Sequence, residues 1–110
     1  MDDIKSKLED LRYSFNKVSQ SINRYQLQGE IRELEAQTMK EGFWNDPDNA
    51  RKVSQSLVNK QKTLESMDKL ERKINDGLEL SNDASMQNEL ESEVKEIEKE
   101  LDQLELKLFL

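Results

Sequence analysis

Phe43-Trp44-Asn45-Asp46-Pro47 holds the only tryptophan, the only proline and one of the three phenylalanines of the 110-residue chain. Everything on either side reads as charged amphipathic helix. Upstream, Lys40-Glu41-Gly42 supplies a stop, because glycine adopts the left-handed conformation that closes a helix. Downstream, Asp46 is a helix cap, and Pro47 falls in the first turn, where its missing N–H costs nothing. Asp48 adds a favourable negative charge there. The stretch is a helix stop, an aromatic corner and a helix start. Trp44, as the large aromatic between two helices, is expected to plug the end of the core.

Before the corner, Ile4, Leu8, Leu11, Phe15, Val18 and Ile22 recur at alternating steps of four and three, which makes one apolar helix face. Asp2 and Asp3 complement the dipole at its start. The phase then slips. The next stripe is Leu27, Ile31, Leu34 and Met39, with Asn23 and Gly29 as weak helix formers near the slip. The spacing predicts a break or kink between Ile22 and Tyr25.

After the corner a long helix uses Ala50, Val53, Leu57, Leu64, Met67, Ile74 and Leu78, widened by Val58 and Leu70. Lys60 and Glu71 interrupt its seam, and Gly77 is either a tolerated dent or a point of fraying. Ser81-Asn82-Asp83-Ala84-Ser85 is a turn rich in capping residues. Leu90, Val94, Ile97, Leu101, Leu104 and Leu108 restore the four-three spacing, and Glu91 with Lys95 forms a favourable pair one turn apart. The expected helices are about 2–22, 25–40, 47–80 and 84–109. No segment alternates with period two, so no strand is expected. The third helix would be roughly 50 Å long and the fourth roughly 39 Å, at 1.5 Å per residue. The first two match the third only when laid end to end. The expected fold is therefore all-α: one domain over 1–110, an antiparallel three-layer bundle with a broken first arm. A compact four-helix bundle is the alternative.

Composition narrows function by exclusion. The net charge is −7, and residues 81–110 carry nine acids against three lysines. Autonomous nucleic-acid binding needs a basic surface, and an anionic membrane would repel this chain. Neither histidine nor cysteine is present, so a Ser/His or Cys/His pair, a disulfide and a thiolate metal site are all ruled out. Asp46-Pro47-Asp48-Asn49 begins like a calcium loop. However, Arg51 stands where the loop needs glycine, and Leu57 stands where it needs glutamate. The three glycines are isolated, so no phosphate-cradling loop exists. The acids lie on solvent-facing helix positions with no pocket to perturb them. No catalytic residue, cofactor or metal is expected. There is neither a membrane span nor a signal-peptide core, and the default compartment is the cytoplasm. Leu106-Lys107-Leu108-Phe109-Leu110 is an unusually apolar end, which suggests a chain cut from a longer one. It also makes homodimers of the isolated piece an expectation.

The corner Phe43-Trp44-Asn45-Asp46-Pro47 resembles the landmark of the first domain in the bacterial peptide chain release factor 2 family. Ile31-Arg32-Glu33-Leu34-Glu35 resembles the stretch before that corner. Leu104-Glu105-Leu106-Lys107-Leu108-Phe109-Leu110 resembles the end of the same domain. The family's Gly-Gly-Gln loop for peptidyl-tRNA hydrolysis and its Ser-Pro-Phe decoding tripeptide do not occur here. The resemblance therefore implies a non-catalytic module of a termination factor acting at UGA and UAA. Such a module would help position the factor on the ribosome near the large-subunit stalk base, with the class-2 release GTPase as a further partner. The reading from a different class is a free-standing acidic coiled-coil adaptor or holdase.

Overall fold

The computed structural model describes residues 2–108. The expected end of the last helix at 109 lies outside the described residues. Four α-helices follow one another: α1 (Asp2–Ile22), α2 (Arg24–Thr38), α3 (Pro47–Leu80) and α4 (Gln87–Leu108). Short 3-10 turns at Phe43–Asn45 and Ala84–Met86 join them. Among the described residues there is no strand, and the fold is the expected all-α helical bundle.

The first arm consists of two helices, and the break between them is a single residue. Asn23 adopts left-handed angles, φ 56° and ψ 85°. Asparagine is among the few non-glycine residues that visit this region readily. Its side chain makes the break productive: Asn23 Oδ1 accepts from the Gln26 N–H at 3.1 Å, and its carbonyl accepts from the Leu27 N–H at 3.0 Å. The weak helix former thus ends one helix and caps the next.

Contacts group the chain into two compact units. Among the described residues, the first contains 2–22 and 66–108. Its core takes Ile4, Leu8, Phe15 and Val18 from α1, Met67, Leu70 and Ile74 from α3, and Leu90, Val94, Ile97, Leu101 and Leu104 from α4. These positions all lie on the expected apolar stripes, from which Leu11 and Ile22 are only partly buried, and each fully buried large side chain contributes about 1.5–3 kcal/mol. Gly77 is the tolerated dent and not a point of fraying, since α3 continues through it to Leu80. A Cβ at Gly77 would stand only 3.1 Å from Leu8 Cδ2, so the missing side chain lets α1 bring Leu8 against the α3 backbone. Nearby, Arg12 Nη2 donates to Asn75 Oδ1 at 3.0 Å.

The second unit, 23–65, is a helical hairpin of α2 and the first half of α3. Leu27, Ile31, Phe43, Ala50 and Val53 are buried within it. Lys60, which interrupts the α3 seam, donates to Glu30 Oε2 of α2 at 2.6 Å. Its charge is thereby accommodated at a half-buried position. Some expected core residues do not take part, among them Met39, Val58 and, at the end of the α4 stripe, Leu108. Met39 is 85% exposed, because α2 ends at Thr38 and Met39 caps it, off the apolar stripe. Val58 is also exposed, so the α3 stripe is narrower than its apolar residues suggest.

Candidate interaction surface

The corner between α2 and α3 is built differently from its expected form. After Thr38 the chain tightens, with the Met39 N–H donating to the Ala36 carbonyl and Lys40 to Gln37, both at 3.2 Å. Gly42 does not close α2. It opens the 3-10 turn, with φ 81°, a value that L side chains rarely adopt. Asn45 N–H donates to the Gly42 carbonyl at 3.0 Å to hold the turn. With three residues per turn, successive side chains point about 120° apart. Phe43 therefore faces inward and Trp44 outward.

This overturns the expectation for Trp44. Phe43 is the buried plug at 8% exposure, packed with Ala50 and Val53 and flanked by Leu34. Trp44 is 65% exposed. Its ring meets Phe43 edge-on, with centroids 4.8 Å apart and planes at 85°, a favoured aromatic geometry. The general tendency of tryptophan to be buried was the misleading signal. The local signal was the residue order after Gly42, which decides which aromatic turns inward.

Asp46 and Pro47 do what their types predict. Asp46 is extended, and its Oδ1 accepts from the Asn49 N–H at 3.2 Å. Its carbonyl accepts from Ala50 N–H at 2.9 Å, and α3 starts at Pro47. Asp48 pairs with Arg51 at 3.5 Å on the exposed first turn. Beside these residues lies an open notch of about 330 Å³ lined by Gln37, Lys40, Glu41, Gly42, Phe43, Asp46 and Asn49.

The acidic helix α4 has a different organisation. Lys73 of α3 reaches across to it and donates to Glu100 Oε1 at 2.8 Å and Glu96 Oε1 at 3.1 Å, with Glu93 at 4.0 Å. The hydrogen bond to Glu100 outweighs the opposing effect of burial and, with the weaker contribution of Glu96, holds the ammonium above its ordinary pKa of 10.5. In the turn before α4, Asp83 accepts from the Ser85 hydroxyl at 2.7 Å and from its N–H at 3.0 Å. Those bonds lower the Asp83 pKa. Ser81 is buried and donates its hydroxyl to the Leu78 carbonyl at 2.7 Å.

These groups do not add up to a catalytic constellation. Lys73 is committed to carboxylates, and Asp83 is committed to its own turn. Between α3 and α4 a groove of about 210 Å³ is lined by Ser66, Lys69, Leu70, Glu100, Gln103, Leu104 and Lys107, smaller than a usual small-molecule site. Among the described residues, no group of three or more acidic side chains is placed to hold a metal ion. No helix among them is long and apolar enough to cross a membrane.

The architecture is an all-α helical bundle. Residues 27–110 match the PCRF domain, and the chain belongs to that family. It is 29% identical over 110 residues to peptide chain release factor 2 of Petrotoga mobilis, covering 96% of this chain and 30% of that protein. The release factor 2 of Clostridium perfringens gives the same identity and coverage. That of Chlamydia trachomatis is 30% identical over 105 residues, covering 90% of this chain and 28% of the relative. The chain thus spans about 30% of the length of the curated relatives it matches. No solved structure matches.

Proposed function

We propose that the chain is a non-catalytic module of a translation termination factor that helps to position the factor on the ribosome. The observation that carries this reading is the PCRF family match over 27–110, together with relatives named peptide chain release factor 2. The finer reading is a module for a factor acting at UGA and UAA codons in the cytoplasm. It reaches the stalk-base region of the large subunit, with the class-2 release GTPase as a further partner. Chemistry by the chain itself is disfavoured, because it has no histidine, no cysteine and no Gly-Gly-Gln or Ser-Pro-Phe tripeptide. Exposed Leu106 and Leu108 support self-association of the chain when it stands alone.

The test is a release assay on bacterial ribosomes carrying peptidyl-tRNA at a UGA codon. The chain is expected to co-sediment with ribosomes, to liberate no peptide, and to compete with an intact release factor 2. Peptide release by the chain alone would refute the non-catalytic reading. Failure to co-sediment would refute the positioning role.

A further inference from the structure

The corner between α2 and α3 exposes what a folded chain normally hides. Trp44, the sole tryptophan, presents most of its ring to water, and Met39 does the same five residues earlier. Phe43, packed with Ala50 and Val53, already fills the hairpin end, so Trp44 is not needed as the plug of the local core. Trp44 is nevertheless fixed in direction, since the turn set by Gly42 and the edge-on contact with Phe43 both hold it. A rigid, solvent-facing indole is the kind of side chain that anchors protein interfaces. Its orientation needs little further ordering on binding.

The adjoining notch indicates the charge of the partner. Glu41 and Asp46 both line it. Asp46 uses one carboxylate oxygen for the α3 cap, and no ion pair is formed by Glu41 among the described residues. Arg51, the nearest cation of α3, is taken by Asp48, and Lys40 is the one basic residue in the lining. The notch therefore favours a cationic group. Two carboxylates repel nucleic-acid phosphate, whereas an arginine suits both the carboxylates and the face of an indole.

We infer that the Met39–Asp46 corner is a docking site for a basic protein surface, which places an arginine or lysine side chain in the notch beside Glu41 and Asp46 and packs against Trp44. This rests on the ribosomal positioning role proposed above and assigns the residues that make the contact. Ribosomal protein presents such a cationic surface, and the exposed indole and methionine supply apolar area next to the charge.

Co-sedimentation with bacterial 70S ribosomes tests the assignment, using the full chain and three variants. Trp44→Ala and Glu41→Arg are each expected to weaken binding at least tenfold while melting within about 8 °C of the unsubstituted temperature. Glu98→Arg makes the same charge change on the exposed face of α4 and should bind as the unsubstituted chain does. Protein-free ribosomal RNA should retain none of the four. If the chain binds ribosomes and both corner variants bind equally well, the docking site is wrong and the positioning role stands. If Glu98→Arg weakens binding as much as Glu41→Arg, bulk charge replaces the notch as the cause. Equal retention by protein-free RNA would make the partner a nucleic acid and overturn the inference. Absence of any ribosome binding would overturn both readings.

Discussion

Phe43 and Trp44 are adjacent and chemically alike, and the fold gives them opposite surroundings. Phe43 closes the hairpin core with Ala50, Val53 and Leu34, whereas Trp44 rests on it from outside. Truncation should separate them. Phe43→Ala is expected to cost about 3–5 kcal/mol, the usual loss for a buried aromatic. Trp44→Ala should stay within roughly 1 kcal/mol, since only the edge-on aromatic pairing is lost. Urea unfolding followed by circular dichroism measures both, and a larger loss for Trp44 would contradict the turn geometry. A second residue-scale feature is Gly77. Reading glycine as a helix weakener was reasonable from propensity, but its function depends on Leu8, which lies on another helix and is invisible to any local window.

Between elements, two devices set the fold. At the joint of α1 and α2, Asn23 combines a left-handed backbone with a cap on Gln26. Asn23→Gly keeps the backbone and should cost only a few tenths of a kcal/mol. Asn23→Ala loses the cap and strains the left-handed residue, so a loss of about 1–3 kcal/mol is expected from the two effects together. Thermal melts of the pair separate them. Between α3 and α4, Lys73 is held by Glu100 and Glu96, which raise its pKa above 10.5. The folded chain therefore keeps this proton more tightly than the unfolded chain does. The resulting stabilisation is complete below the ordinary lysine value of about 10.4 and is lost as pH rises through the higher folded value. Lys73→Met should flatten that alkaline decline in a series of melts from about pH 9 to 12, a range that brackets the ordinary lysine value. An unchanged decline would show that other groups cause it.

For the whole molecule, periodicity carried most of the fold. Four-three spacing marked the buried faces of α1 and α4, and Gly42, Asp46 and Pro47 marked the corner. The phase slip located the joint, because a changed apolar phase is itself the cost of continuing one helix. Periodicity did not reveal which corner aromatic is buried, or that Met39 leaves the stripe. Those outcomes depend on a few turn dihedrals after Thr38, to which a heptad pattern is blind. The candidate surface was legible only in part. Its residues were prominent by rarity, but their exposure came from three dimensions. At this scale the apolar Leu106 and Leu108 also predict concentration-dependent self-association. Sedimentation equilibrium should show a monomer–dimer shift that Leu106→Glu abolishes, and an unchanged shift would place the contact elsewhere.

The outward indole has a practical consequence for spectroscopy. As the chain has one tryptophan and that ring already faces water, its emission colour should hardly change when the protein unfolds. Fluorescence melts would then underreport a transition that far-ultraviolet dichroism records in full. The same ring should shift to the blue when a partner covers it. The chain thus carries a built-in optical probe that is nearly silent to folding and responsive to docking.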